Sequence, residues 1–238
     1  MGRFVCAVAV IASLHAGAQS VQAAPILTEG FDNVAALPGW VMTNNSAPPG
    51  TTGWFQGNAA VFPAQSGAAN SYIAANFENA AAGGNISNWL ILPQMTLTNG
   101  DTLSFFARTE PGAAGTPDRL EVRFSANGAS TNVGTTDASV GDFTTLMLVI
   151  NGPLLLGGFP ENWAHFVLTM SGLGSPTSGR FAFRYNVPDN SVNADYIGID
   201  SVVVDSSVNT VPVPEPGTLT LLGAALAGLA TRGRRRPL

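Results

Sequence analysis

The sequence contains no lysine, and its ten basic residues are all arginines. Positions 24–210 hold five arginines and fourteen acidic residues, which gives this stretch a net charge of −9. A surface this acidic argues against binding to nucleic acid or adhesion to anionic lipid, because both of those partners are polyanions. Divalent cations and neutral partners remain compatible with it.

Cysteine and histidine are almost as scarce. Cys6 is the only cysteine and lies in the apolar start of the chain, so positions 24–210 form no internal disulfide. His165 is the only histidine in that stretch, which excludes a multi-histidine zinc site and leaves one candidate base for a Ser-His-acid arrangement. The sequence also lacks a Gly-x-Ser-x-Gly motif and a phosphate-binding glycine loop.

Hydrolysis of sugars by a pair of carboxylates is the enzymatic alternative that this composition leaves open. Glu110, Glu121 and Glu161 are candidates by residue type alone. The simpler interpretation is that they are solvated surface acids, and that His165 is a packed or outward-facing strand residue.

The N-terminal segment has the pattern of a secretory signal. Arg3 precedes an apolar run over 4–18, and Val21-Gln22-Ala23 places small residues at a signal peptidase site. We expect cleavage after Ala23. The alternative is a buried helix or an uncleaved anchor, but the run is short for a membrane span and no stop-transfer pattern follows it.

The C-terminal segment has three parts: Pro214-Glu215-Pro216, an apolar stretch over 218–230, and an end containing Arg234, Arg235 and Arg236. As a helix the apolar stretch rises roughly 20 Å, which is short of a hydrocarbon core of about 30 Å. The arginines favour a cytoplasmic end. A short permanent tail anchor is the alternative to a processing signal.

These three parts, in this order, resemble the PEP-CTERM sorting signal of Gram-negative bacteria. The resemblance implies transient insertion of the apolar helix into the inner membrane and cleavage near Pro-Glu-Pro by the membrane enzyme exosortase. It also implies a final place at the cell surface or in the extracellular matrix, in association with exopolysaccharide or biofilm.

Strand patterns fill the stretch between the two ends. In 180–187 the apolar Phe181, Phe183, Tyr185 and Val187 alternate with polar residues, and 120–124 alternates in the same way, so each predicts a strand with one buried face. Further strands are predicted at 27–31, 40–43, 71–75, 89–92, 102–108, 145–151, 163–170 and 196–204. The Ala/Gly-rich stretches 80–84 and 112–115 are predicted to be loops.

Ten short strands without intervening helices predict an all-β fold, a two-sheet jelly-roll sandwich. An N-terminal signal helix and a short C-terminal apolar helix flank it. The predicted division is a signal peptide at 1–23, a jelly-roll domain at 24–210 and a sorting signal at 211–238.

Several short motifs in the domain resemble the choice-of-anchor J family, a bacterial module found with different C-terminal anchoring signals. They are Glu-Gly-Phe-Asp at 29–32, Leu-Pro-Gly-Trp at 37–40, Tyr-Ile-Ala-Ala-Asn-Phe at 72–77, Ile-Ser-Asn-Trp-Leu-Ile at 86–91, Pro-Asp-Arg-Leu-Glu-Val-Arg at 117–123 and Ile-Gly-Ile-Asp at 197–200. The domain is also similar to the cleaved-adhesin modules of bacterial surface proteins, which are jelly rolls. Both resemblances imply fold and compartment and carry no assigned activity.

A calcium site is predicted from three acids. The first and last strands of a jelly roll commonly lie side by side, so Glu29 and Asp32 could converge on Asp200, an acid on the same strand face as Val202 and Val204. Ca²⁺ takes six to eight oxygens with tolerant geometry. The resemblance to adhesin and carbohydrate-binding sandwiches also implies a structural calcium at about this place. The alternative is that Asp200 bonds to turn amides or pairs with an arginine such as Arg184.

Trp54 is the predicted ligand contact, because it lies in a loop-like segment and a Trp ring can stack on sugar. Core packing is the alternative. The sequence therefore favours a non-catalytic binding or adhesion module of the exopolysaccharide matrix, with a secreted polysaccharide hydrolase or a structural surface protein without a specific ligand as the other possibilities.

Overall fold

The computed structural model describes residues 25–112 and 115–207, in which short strands supply nearly all regular structure. Two single-turn 3-10 helices, Val34–Ala36 and Phe77–Asn79, also occur. In chain order the strands are β1 (Pro25–Glu29), β2 (Val41–Asn44), β3 (Ala47–Pro49), β4 (Phe55–Gln56), β5 (Ile73–Asn76), β6 (Ala80–Ile91), β7 (Met95–Leu97), β8 (Thr102–Thr109), β9 (Leu120–Ser125), β10 (Thr145–Ile150), β11 (Ala164–Thr169), β12 (Thr177–Val187) and β13 (Tyr196–Asp205).

The strands form two antiparallel sheets. The first has the order β11-β8-β13-β5-β4, with β1 also paired to β13. The second has the order β10-β9-β12-β6-β2, with β3 paired to β6 and β7 paired to β12. The predicted all-β sandwich is confirmed, and each of the ten predicted strands has a counterpart. The predicted signal peptide, apolar C-terminal helix and sorting residues lie outside the described residues.

The main core lies between the two sheets and is built from the alternating positions that the sequence predicts. From β12, Phe181, Phe183 and Tyr185 face inward, and the rings of Phe183 and Phe105 meet edge to face at 4.8 Å between centroids. Strand β13 adds Ile197, Ile199, Val202 and Val204 to the same cluster. Burying these side chains between two sheets is the main source of stability.

The opposite face of the second sheet is also buried, which corrects the prediction of one buried face per strand. Arg184 is only 3% exposed, and its guanidinium donates to the backbone carbonyl of Asp137 in the loop that follows β9. Phe143 from the same loop packs on Trp89, with ring centroids 5.8 Å apart. Alternation on strands does not reveal that a distant loop covers the polar face.

The predicted loop at 80–84 is the first part of β6. It pairs with β3 through Ala47 and Pro49, and the side-chain amide of Asn190 bonds to Gly84 N and to the Ala80 carbonyl. These long-range bonds override the low strand preference of alanine and glycine. In the other predicted loop, Gly112 and Gly115 belong to no strand or helix.

Strand β13 sets the geometry of the domain because it runs from one end of the sandwich to the other. Its last residue, Asp205, is the cross-strand partner of Pro25, the first described residue. Just beyond it, Ser207 donates its backbone N–H to Asp101 Oδ1 at 2.7 Å. The chain therefore enters and leaves the described domain at the same end, while Tyr196 lies at the other end of β13.

Candidate functional site

Asp200 lies where one edge of β13 changes partner. Residues 196–199 pair with β5 and residues 202–205 pair with β1, so Asp200 falls in the break between the two. The loop at 65–66 fills this break, and Asp200 Oδ2 accepts the N–H groups of Gln65 at 2.8 Å and Ser66 at 3.1 Å. The other oxygen, Oδ1, accepts the N–H of Ser201 at 2.5 Å and its hydroxyl at 3.3 Å.

This arrangement makes Asp200 a structural acceptor. The residue is 0% exposed, and Ser201, whose N–H it accepts, has a left-handed backbone conformation with φ of 51°. Burial raises the pKa of Asp200, and the backbone N–H donors from Ser66, Ser201 and Gln65 only partly offset that effect. These donors therefore offset only part of the cost of burying the ionised Asp200 carboxylate. A nearby cation would offset more of that cost.

The other two predicted calcium ligands share one pocket. Glu29 and Asp32 line a pocket of about 240 Å³ together with Gly30, Ser66 and Ser201. Glu29 Oε1 also accepts the backbone N–H of Phe31 at 2.7 Å. Among residues 25–112 and 115–207, no group of three or more acidic, histidine or cysteine side chains is arranged to hold a metal ion. The site thus offers two carboxylates at its surface and Asp200 in the adjoining strand, and calcium stays a prediction.

The structure corrects the prediction for Trp54. Its side chain is 6% exposed and belongs to the main core, so its ring has no free face for a sugar. The core-packing alternative describes this residue. Turn-like flanking residues misled the prediction, because Trp54 precedes the two-residue strand β4 on the first sheet.

Two of the candidate catalytic residues, His165 and Glu121, are held in structural contacts. The ring of His165, on the edge strand β11, stacks on Phe106 with centroids 4.6 Å apart, and it makes no hydrogen bond within the described residues. Glu121 is buried in ion pairs with Arg123 at 2.7 Å and Arg184 at 3.3 Å. Glu161 is an exposed acid, as the simpler interpretation predicts.

In the part of the chain that the structure describes, no helix is long and apolar enough to cross a bilayer.

A pocket at the end of the sandwich formed by the start of β13 is the larger candidate site. It has a volume of about 320 Å³ and is named here the Phe77 pocket. Its lining residues are Pro49, Gly50, Thr51, Phe77, Glu78, Ala80, Ala81, Ala82, Asn190 and Ser191. Phe77 N donates to the carbonyl of Asp195, the residue before β13, at 2.9 Å, which fixes the pocket at this end.

Backbone contacts hold the Phe77 pocket in shape. The N–H groups of Thr51 and Thr52 both donate to the Glu78 carbonyl, at 3.0 and 3.2 Å. A side chain at Gly50 would overlap the same carbonyl oxygen, so this close approach requires glycine. From the opposite wall, the buried amide of Asn190 donates to the Phe77 carbonyl at 2.8 Å. The pocket is therefore preformed, as ligand sites usually are.

The walls of the Phe77 pocket are mostly apolar, with one carboxylate at the rim. Phe77 is 46% exposed, an unusual state for an aromatic residue in a domain with this much core. Glu78 is exposed, and its one side-chain hydrogen bond in the described structure comes from Asn76 at 3.3 Å. Sequence reasoning missed both residues. The available signal was an aromatic residue next to an acid immediately after a predicted strand.

Two acids, the buried Asp118 and the half-buried Asp195, lie close together at this end of the domain. Asp118 accepts hydrogen bonds from Thr109, Tyr185 and the backbone N–H of Asp195, and burial raises its pKa. Burial also raises the pKa of Asp195 to about 6, helped by the charges of Asp118 and Glu110. The ionised form of Asp195 is thus disfavoured in the folded state.

We expect Asp195→Asn to stabilise the domain at pH 7 by about 1–2 kcal/mol, after discounting for the half exposure of the side chain. A raised folded-state pKa means that the wild type loses stability as the pH rises from about 4 to about 6. The advantage of the variant should therefore vanish below pH 4. Melting temperatures between pH 3.5 and 8 test this, with Glu161→Gln as the control, and parallel curves for Asp195→Asn and wild type would contradict it.

Comparison with known proteins yields one motif and one fold. Residues 212–236 match the PEP-CTERM protein-sorting motif, and no curated protein matches the chain. The K1 cleaved adhesin domain of Lys-gingipain from Porphyromonas gingivalis W83 is 21% identical, with a TM-score of 0.53 over 76% of this chain and 98% of that domain. The K3 domain of the same protein is 19% identical, with a TM-score of 0.49 over 77% and 100%.

A more distant neighbour is the family 22 carbohydrate-binding module of Clostridium thermocellum Xyn10B, which is 12% identical, with a TM-score of 0.41 over 79% of this chain and 96% of that module. The K1 domain shares the two-sheet sandwich fold of this chain. The chain therefore carries a PEP-CTERM protein-sorting motif after a sandwich whose jelly-roll fold is similar to that of a cleaved adhesin domain.

Proposed function

We propose that the protein is exported and displayed at the cell surface or in the extracellular matrix, where its sandwich domain acts as a non-catalytic binding module. The sorting motif at 212–236 carries this proposal, because it follows within a few residues of the last described residue of the domain. Processing by exosortase after transient insertion into the inner membrane of a Gram-negative bacterium belongs to the same proposal.

Adhesion to matrix exopolysaccharide is the role that we propose for the domain. The preformed Phe77 pocket supports it, since it combines an exposed aromatic ring with polar groups at the rim. The net charge of −9 supports it further, because nucleic acid and anionic lipid are disfavoured as partners. The role of the K1 domain as an adhesin agrees with this proposal, while the likeness itself concerns the fold.

Calcium is a separate proposal about stability. Glu29 and Asp32 would supply carboxylate oxygens, and backbone carbonyls or the Ser201 hydroxyl in the same pocket could complete the coordination. The bound ion would join the end of β1 to the middle of β13. Its charge would also compensate the buried carboxylate of Asp200.

Two other functions have distinct readouts. A secreted polysaccharide hydrolase, with Glu110 and Glu161 as its remaining acid candidates, would release reducing sugar from matrix polysaccharide. A structural surface protein without a ligand would show no binding on a glycan array that includes matrix polysaccharide. Binding without sugar release is the result that we expect.

We predict that the extracellular form lacks both 1–23 and the residues after about 214. The reason is that both ends are processing signals, and the domain closes its two sheets without them. Intact-mass measurement of protein recovered outside the native host tests this prediction. In a host without exosortase, the C-terminal cut should be absent while the N-terminal cut remains. Retention of Arg234, Arg235 and Arg236 in the extracellular form would contradict the prediction for the tail.

A further inference from the structure

The position of the Phe77 pocket suits a domain that is attached through its C-terminal end. The pocket touches the start of β13 through the bond from Phe77 N to Asp195 O. The chain leaves the domain beyond Asp205, at the other end of that ten-residue strand. A strand rises about 3.3 Å per residue, so the pocket and the attachment point lie about 30 Å apart. The pocket and the last residues of β13 therefore lie at opposite ends of the strand.

The charge distribution of the domain favours a cationic ligand. None of the five arginines in the described residues is exposed. Arg108 lies over the Phe62 ring at 4.3 Å, and Arg119 and Arg180 donate to backbone carbonyls. The remaining two, Arg123 and Arg184, pair with Glu121, and these are the only ion pairs in the described residues.

The other thirteen acids have no basic partner there, so the exposed surface presents negative charge with almost no positive charge to balance it. Two of these acids lie at the Phe77 pocket. Glu78 lines it, and the exposed Asp189 accepts the hydroxyl of Ser191, another lining residue. No arginine is among the lining residues. A cation that approaches this end therefore meets an attractive potential.

The two prominent side chains of the pocket recognise complementary parts of one kind of molecule. An exposed phenyl ring attracts the apolar face of a sugar or a nearby cation. An exposed carboxylate without an ion-pair partner binds an ammonium group through charge-assisted hydrogen bonds. A sugar that carries a free amino group offers both features within one ring. Thr51 and Ser191, which carry hydroxyl groups, also line the pocket.

We propose that the Phe77 pocket binds cationic amino-sugar residues of a polysaccharide, with the sugar ring on Phe77 and the ammonium group facing Glu78. This inference rests on the proposed function and narrows it to one class of glycan. A neutral glycan would leave the Glu78 charge unused, and an acidic glycan would be repelled by it. The preformed walls reduce the entropy cost of binding.

The test measures binding of the exported protein to two β-1,4-linked oligosaccharides of equal length, one of glucosamine and one of N-acetylglucosamine. We expect the glucosamine oligomer to bind at least about tenfold more tightly, and its affinity to fall with salt. Phe77→Ala and Glu78→Gln should each weaken its binding by at least about tenfold. Glu161→Gln removes the same charge from another exposed acid and should leave the affinity unchanged.

The Phe77→Ala and Glu78→Gln variants keep the backbone bonds of residues 77 and 78, and unchanged melting temperatures verify that they fold. If the two oligomers bind equally and Phe77→Ala abolishes binding of both, the ligand need not be cationic. The proposed glycan binding would then stand, but the requirement for a cation would be overturned. Binding that survives both substitutions would overturn the assignment to this pocket. Preference for an oligolysine peptide over the glucosamine oligomer would overturn the sugar assignment. Failure of the proposed function is scored separately, by the absence of export and of any glycan binding.

Discussion

Replacing Glu121 with leucine is expected to lower the free energy of unfolding by about 3–5 kcal/mol, because it leaves two arginines without their anion under a closed loop. Glu121 accepts hydrogen bonds from Arg123 at 2.7 Å and from Asn186 at 2.9 Å, and Arg184 lies at 3.3 Å. Burial alone would raise the pKa of Glu121, but these donors and the Arg184 charge hold it below its usual value. Urea denaturation of the fragment 24–210 measures the loss.

A double variant separates the cost of an unpaired charge from the cost of lost packing. Arg184 also packs over the Trp89 ring at 5.0 Å, so the double variant Glu121→Leu/Arg184→Met keeps an apolar side chain there and removes one of the two stranded charges. It should recover a large part of the loss. Glu161→Leu, at an exposed acid, should cost little. A cost below about 1 kcal/mol for Glu121→Leu would show that the network does not hold the loop to the sheet.

Asp200→Ala is expected to cost at least about 2 kcal/mol, because the N–H groups of Gln65 and Ser66 lose their acceptor where β13 changes partner. The same variant tests calcium. By mass action, an ion at 100 times its dissociation constant adds roughly 2.7 kcal/mol, so the wild-type fragment should melt several degrees lower in chelator than in millimolar Ca²⁺. Asp200→Ala should erase most of that difference.

A matched control lies on the same strand. Asp205→Asn removes one negative charge from β13 but leaves the break at Asp200 intact, so it should keep the full calcium response. Equal melting temperatures of metal-free wild type with and without Ca²⁺ would remove the calcium proposal. Asp200 would then act only as an acceptor for the loop at 65–66, and the cost of Asp200→Ala would be independent of the metal.

Local patterns predicted the strands because the side-chain alternation that defines a strand is contained in its own residues. The alternation of Phe181, Phe183 and Tyr185 with polar residues predicts β12 without information from the rest of the chain. The start of β6 was missed because its strand structure comes from β3 and from the side chain of Asn190, both distant in sequence. The same limit explains Arg184, whose burial depends on a loop that no periodicity describes.

The candidate site was harder to predict than the fold. Glu29 and Asp32 line one pocket beside β13, but jelly-roll topology alone could not decide between a calcium site and the alternative in which Asp200 bonds to turn amides. That depends on the loop at 65–66, whose backbone N–H groups bond to the Asp200 carboxylate. The aromatic ring of Trp54 predicts a sugar contact, yet the side chain is buried and has no free face for a ligand. Phe77 has the exposure that Trp54 lacks, and exposure depends on which loops close around a residue.

The course of β13 has a mechanical consequence. If a ligand is held at the Phe77 pocket while the C-terminal end is held at the cell, the tension runs parallel to this strand. Its hydrogen bonds to β8 on one side, and to β5 and β1 on the other, then lie across the pulling direction. These hydrogen bonds bear the load at the same time, so β13 cannot slide past its neighbours by breaking them one after another. Such a strand transmits tension from the pocket to the attachment point while the sandwich stays closed.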